Sequence, residues 1–285
     1  MGTFSNMLKT VALLGVLTGL LLWVGNMLAG PTGLAIGLLI AFVMNFVSYF
    51  FSDKIALAMY RAQPVTNKND PLYKMIRELS DKAGLPMPRV FTIASPHPNA
   101  FATGRDPDHA AVAVTDGIRE ILTPEELRGV LAHELSHVKN RDILIASIAA
   151  MIAGVISYLA HMAQFAAMFG GGRGDNDRGS GIGLLFLAIV TPIIAMIIQL
   201  AISRAREYQA DESGAHLIHD SKPLASALEK IEAGVKRNPL RLTAATESTA
   251  HLFISSPFRA QGFVHMFMTH PPTKNRVERL KGMKF

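Results

Sequence analysis

Three long tracts of the chain carry no charged side chain: Thr10–Ser52, Ile143–Gly172 and Gly179–Ser203, of 43, 30 and 25 residues. All 28 lysines and arginines and all 22 aspartates and glutamates fall outside them. A helix needs roughly 20 apolar residues to cross a bilayer, so the first tract has room for two spans. It is broken at Gly30-Pro31, where proline ends one helix and glycine permits the turn. The pattern predicts four transmembrane helices, at about Val11–Ala29, Thr32–Phe51, Ile143–Phe169 and Ile182–Ile202. The first has a lysine before it but is followed at once by a second span, which reads as an uncleaved anchor. Gly170–Gly181, with six glycines in twelve residues, is a flexible loop without visible chemistry.

The remaining chain has the charge density of a water-soluble body, split in two. Apolar Leu72, Met75, Ile76 and Leu79 predict a helix over Pro71–Ala83. Short strands follow near Arg89–Ile93, Ala100–Thr103 and Ala111–Val114, with Arg105-Asp106-Pro107-Asp108 as a turn between the last two. Thr123-Pro124-Glu125-Glu126 opens another helix, with threonine as cap, proline at the first position and glutamate at the third. The expected fold is α+β, mainly helical, in four parts. Residues 1–52 form a transmembrane hairpin, 53–142 the first piece of the soluble body, 143–202 a second transmembrane pair and 203–285 the second piece.

Charge sets the orientation. Nine lysines and arginines lie near the span ends on the side of the body, against Arg173 and Arg178 on the other. The excess of basic residues belongs inside, so both termini and the body are expected in the cytoplasm. The net charge of +6 is concentrated in Arg204–Phe285, with 13 basic against 8 acidic residues. Next to a bilayer this suggests anionic lipid rather than nucleic acid, for which no motif is visible. Asn26, Asn45, His161, Gln164 and Gln199 are polar residues within the spans and are read as bonding neighbouring helices.

The chain has no cysteine, which removes disulfides and thiolate metal ligands together. Any zinc must be held by histidine and carboxylate. His133-Glu134-Leu135-Ser136-His137 places two imidazoles four apart on the predicted helix, on one face and roughly 6 Å apart. They can share one zinc ion, with Glu134 as general base toward water. A catalytic zinc needs a third protein ligand. Glu207 and Asp211, also four apart, can present Glu207 to the metal and Asp211 to the outer N–H of a ligand histidine.

At these residues the chain resembles the HtpX-type membrane-integrated zinc metalloproteases, bacterial relatives of the CAAX prenyl protease in the gluzincin group. The resemblance spans essentially the whole length. It rests on His-Glu-Leu-Ser-His-Val-Lys-Asn-Arg-Asp at 133–142, Ser-Arg-Ala-Arg-Glu-Tyr-Gln-Ala-Asp at 203–211, Asn-Ala-Phe-Ala-Thr-Gly at 99–104, and His-Pro-Pro-Thr with arginine at 270–276. It implies one Zn2+ per chain on His133, His137 and Glu207, with Glu134 as catalytic base. It also implies a cytoplasmic active site in the bacterial inner membrane, polypeptide substrates that include membrane proteins, and a role in membrane-protein quality control.

Asp142 abuts the third span and Glu207 follows the fourth by five residues, so the site is expected at the membrane surface. Charges around the zinc helix are too costly for bilayer depth. Asn99, Ala100, Phe101 and Ala102 are expected to form an edge strand that pairs with an extended substrate, the alternative being a hairpin strand with Phe101 packed inside. His270 is a candidate donor to the developing oxyanion, with Arg276 anchoring the tail; the alternative is a prolyl turn with an exposed histidine. The other seven histidines have no competing ligand spacing. A non-catalytic scaffold with structural zinc would require four protein ligands and no adjacent base, whereas three ligands and Glu134 are found.

Overall fold

The structure is a computed structural model that describes residues 2–149, 152, 204–237, 254 and 271–285. Helix α1 (Gly2–Met59) is bent into two limbs: Ala29 and Gly30 leave helical geometry, Gly30 at φ 55°, and Pro31 opens the second limb. Glycine takes this left-handed conformation without a Cβ clash. The limbs run antiparallel, with Asn45 Nδ2 donating to Thr18 Oγ1 across them at 2.9 Å. Among the described residues, Met7–Asn26 and Ala29–Met59 are the two helices long and apolar enough to cross a membrane, with mean hydropathy 2.0 and 2.2. Leu8, Leu39 and Phe42 lie exposed on their outer faces.

The second limb continues past Phe51, where the sequence pattern ended the span. Burial explains the extension: Ala56 and Leu57, with Tyr60 just beyond the helix, pack against the sheet beside Phe101, Ile93, Ala111 and Ala113. Residues 143–149 are helical, and Ile145, Ile148, Ala149 and Ile152 pack against Leu13, Leu17 and Leu20 of the first limb. The rest of the expected third span, the Gly-rich loop and the fourth span lie outside the described residues.

Strands β1 (Gln63–Pro64), β2 (Arg89–Ile93), β3 (Ala100–Thr103) and β4 (Ala111–Thr115) make one sheet in the order β1-β2-β4-β3. β2 and β4 are parallel, while β1 and β3 are antiparallel to their neighbours at the two edges. Side chains alternate between faces along a strand, and here both faces are covered. Ala111 and Ala113 meet the second limb of α1. Val112 and Val114 meet the helical layer, which holds the main core.

That layer comprises α2 (Pro71–Ala83), α3 (Asp116–Ile121), α4 (Pro124–Lys139), α5 (Arg204–Ile218), α6 (Lys222–Arg237) and α7 (Thr273–Lys281). α4 begins as its sequence demands: Thr123 Oγ1 accepts from Glu126 N, Glu126 Oε2 accepts from Thr123 N, and Pro124 needs no donor at the first position. Glu126 also accepts from Ser226 at 2.6 Å and Lys230 at 2.7 Å, tying α4 to α6. α5 lies still closer to α4. A Cβ on Gly214 would stand 2.8 Å from His133 N and 3.0 Å from the Ala132 carbonyl carbon, so only glycine permits the approach.

Candidate metal centre

His133 and His137, one turn apart on α4, turn their Nε2 atoms toward each other at 3.2 Å. Glu207 arrives from α5, with Oε2 3.7 Å from His133 Nε2 and Oε1 3.5 Å from His137 Nε2. One ligand atom from each residue lies within 4.8 Å of the other two. This is the trio expected from the sequence, and it can hold a metal ion.

Each histidine is gripped from behind by a carboxylate. Asp211 Oδ1 stands 2.9 Å from His133 Nδ1, as the four-residue spacing from Glu207 suggested. His137 Nδ1 has an equivalent partner at 3.2 Å, Asp142, which sequence reasoning used only as a charge beside the third span. The chain reverses to bring it there: α4 ends, Arg141 adopts φ 59°, and Asp142 N donates back to His137 O at 3.0 Å. A left-handed arginine costs about 1 kcal/mol, which marks the turn as imposed by the surroundings. The available signal was an aspartate one turn beyond a ligand-spaced histidine, at the point where the helix must stop.

The Asp142 contact favours a proton on His137 Nδ1, and Asp211 stands at the corresponding nitrogen of His133, so the Nε2 atom of each ring is the one turned to the centre. At 3.2 Å the two Nε2 atoms can share a proton or turn to a common metal ion. The local field favours a cation there. Burial pulls the His137 pKa down, but the Asp142 hydrogen bond, together with Glu207 and Glu134, outweighs it and lifts the pKa to about 9. Carboxylates that hold a proton this firmly on His137 also favour a dication at the same place. The donor set therefore fits zinc: two imidazoles and a carboxylate, with no thiolate available.

Asp211 is itself fixed by Arg276 of α7. Nε donates to Oδ2 at 2.8 Å and Nη2 to Oδ1 at 2.7 Å, while Nη1 donates to Ile254 O at 2.9 Å. Burial pushes the Asp211 carboxyl up, but Arg276 outweighs it and holds the pKa at about 2. Arg276 is 1% exposed. The tail anchor expected from sequence thus reaches the centre itself.

Glu134 lies beside the trio with Oε2 accepting from Ala102 N at 3.0 Å. Burial raises its pKa against the pull of His133 and His137. Because hydrogen-bonding direction alternates along an antiparallel strand, the Ala100 and Ala102 backbone groups point away from β4, to the side on which no further strand pairs among the described residues, although β3 itself is buried along its length. The Phe101 side chain is 2% exposed and packs with its ring 5.1 Å from Tyr60. The Asn99 side chain is turned inward as well, accepting from Ile254 N at 3.2 Å. His270 lies outside the described residues.

A histidine pair and its neighbouring glutamate on one helix, with a carboxylate from a second helix, have the arrangement of a metalloendopeptidase site. The chain belongs to peptidase family M48, which matches residues 66–284. It is similar to the protease HtpX homolog of Syntrophobacter fumaroxidans, 54% identical over 279 residues that cover 96% of this chain and 98% of that protein. It is also similar to the protease HtpX homolog of Thermococcus kodakarensis, 49% identical over 276 residues, 96% of this chain and 94% of that one. In fold it is similar to the crystal structure of S. mikatae Ste24p, with a TM-score of 0.52 at 19% identity over 97% of this chain, which spans 66% of the length of that chain. The protein is thus a membrane-associated metallopeptidase.

The close approach at Gly214 generates a prediction. Gly214→Val drives α5 off the α4 backbone at a cost of about 1–3 kcal/mol and swings Glu207, two turns earlier on the same face, out of reach of both histidines. Zinc per chain after dialysis and the melting temperature in detergent are both expected to fall. Full zinc content at wild-type stability would mean that this contact does not set the site.

Proposed function

We propose that the chain is a zinc endopeptidase of the bacterial inner membrane that hydrolyses misfolded or damaged membrane proteins at the cytoplasmic face. The observation that carries this reading is the convergence of His133, His137 and Glu207 beside Glu134 and the edge strand β3. On this reading those three residues hold one Zn2+. Zinc supplies an acidified water and a polarised scissile carbonyl when bound. Asp211 and Asp142 keep the imidazoles in the tautomer that leaves Nε2 free for it.

A substrate peptide pairs with β3 through the backbone of Ala100 and Ala102, which reads little sequence and suits varied, unfolded polypeptides. Such pairing lays the scissile bond along the strand edge that Glu134 already touches. Glu134 takes a proton from the attacking water and delivers it to the leaving amine. Its burial supports this role, since a base that must hold a proton between two steps works best with a raised pKa.

The peptidase body is built on this reading from residues 53–142 and 203–285, with membrane helices in 1–52 and 143–202. The excess of basic residues at the span ends supports a cytoplasmic body. The apolar limbs of α1, which end against the sheet, support a site next to the membrane.

Glu134→Gln keeps the side-chain shape and both histidines but removes the base. Normal zinc content is expected, with cleavage of unfolded casein slowed by roughly 10²–10⁴. Undiminished cleavage would remove Glu134 from the chemistry. Glu207→Ala, by contrast, should lose the zinc itself on dialysis, and full retention would move the third ligand elsewhere.

Orientation is tested separately. A reporter active only outside the inner membrane should be silent when fused after Phe285 and active when inserted within Gly170–Gly181. The reverse pattern would put the body on the other side.

A further inference from the structure

The second limb of α1 changes character over a few residues. Phe46, Phe50 and Phe51 are 50%, 41% and 39% exposed, and the next residues, Ser52, Asp53 and Lys54, bring the first charges after the apolar tract. Tyr49, 38% exposed in the same run, is of the amphipathic aromatic type that sits at the level of the lipid headgroups, and the first charge follows four residues later. At that level a cavity of about 430 Å³ opens between the limb and the rim of the sheet.

The cavity is lined by the three phenylalanines, by the cations Lys54, Arg89 and Arg105 and by Asp53 and Asp108. Arg89 is bonded to Asp53. The other two cations lie over aromatic faces: Lys54 Nζ is 5.0 Å from the Phe51 ring centre, and the Arg105 guanidinium carbon is 5.5 Å from that of Phe50. Arg105 Nε is also 3.4 Å from Asp106, which His109 Nδ1 approaches at 2.6 Å, and Arg105 Nη2 lies 2.5 Å from His109 Nε2, so a phosphate would share this guanidinium with both. The remaining acidic group on the lining is the exposed Asp108. The cavity is therefore apolar along the three phenylalanines and charged on its other side, where Arg89 and Arg105 are paired with Asp53 and Asp106 and Lys54 has no carboxylate partner among the described residues; its size suits a headgroup rather than a folded partner.

We infer that this cavity seats the phosphodiester headgroup of an acidic phospholipid on the peptidase side of the bilayer, with the acyl chains running along Phe46 and Phe50. The inference rests on the reading that the α1 limbs span a membrane. Lys54 and Arg105 meet the phosphate oxygens, and the phenylalanines take the first methylenes. A zwitterionic lipid fits less well, because its ammonium would lie beside Lys54, the cation on the lining without a carboxylate partner among the described residues. Gly104 is the only residue between Arg105 and β3, so the headgroup binds at the root of the strand that borders the metal centre.

The test uses the full-length protein, purified in mild detergent and offered an equimolar mixture of phosphatidylglycerol and phosphatidylcholine of matched chains, with retained lipid read by native mass spectrometry. Wild type should keep phosphatidylglycerol preferentially. Lys54→Ala/Arg105→Ala should lose that retention roughly ten- to thirtyfold, at about 1 kcal/mol per cation. Lys82→Ala/Lys236→Ala, far along the chain from the cavity, should not. If the double variant fails to fold, exposed Lys54→Ala alone should lose about fivefold.

Equal retention of the two lipids, an unchanged double variant, or an equal loss in the Lys82/Lys236 control would overturn the inference. So would inorganic phosphate binding to delipidated protein with the same dependence on Lys54 and Arg105, which would assign the cavity to a free anion. Alkaline carbonate extraction of wild-type membranes is run in parallel. Release of the chain there would defeat the spanning reading itself, whereas a chain that stays in the membrane but shows no lipid preference defeats only the headgroup site.

Discussion

Arg276 and Asp211 form a bidentate ion pair with almost no access to water: the two residues are 1% and 3% exposed. Burying two charges is costly, and such a pair persists only when its remaining hydrogen-bonding groups are satisfied. Here they are. Asp211 continues to His133 on α4, and the guanidinium continues to the carbonyl of Ile254. Ile254 in turn donates to Asn99, next to β3. One chain of polar contacts thus ties α7, α5, α4 and the edge strand together through the centre of the site. Removing Arg276 would leave Asp211 as an uncompensated buried charge, a change that typically costs about 3–5 kcal/mol. Arg276 therefore fixes both the metal-facing histidine and the strand that lies across from it.

The membrane elements hold the site from the other side. α1 continues beyond its aromatic band so that Ala56 and Leu57 cover one face of the sheet. Immediately after Asp142 the chain enters the helix whose Ser147 Oγ lies 2.7 Å from Thr103 Oγ1 at the end of β3. His137, through Asp142, and β3, through Thr103, are thereby anchored to the same helical segment. The first turns of that helix also pack on the first limb of α1, so the site and the apolar limbs share one anchor.

Much of this was legible in the sequence because it depends on local spacing. Two histidines four apart on a capped helix must share a face, as must Glu207 and Asp211, and the Gly30-Pro31 break and the strands at 89–93 and 100–103 follow from backbone preferences alone. What escaped depends on tertiary contacts. The second limb overran its expected end because its last turns are buried by a sheet and not by lipid. Strand β1, at two residues, is too short for any periodicity. α6 and α7 are amphipathic helices whose stripes went unread beside the motif on α5. Asp142 looked like a membrane-flanking charge until the left-handed turn at Arg141 carried it back under His137. Arg276 was legible as an anchor, but its partner, 65 residues away in sequence, was not.

The central claim is that a single metal ion is held between α4 and α5 by two carboxylate-backed imidazoles and Glu207. The zinc K-edge absorption spectrum of the full-length protein, loaded to saturation and dialysed, tests it most directly. The account predicts one zinc per chain bound by two imidazole nitrogens and by oxygen donors, all at about 2.0–2.2 Å. A third imidazole in the spectrum would put a histidine where Glu207 is assigned and would contradict the account, as would a zinc signal that survives His133→Ala unchanged.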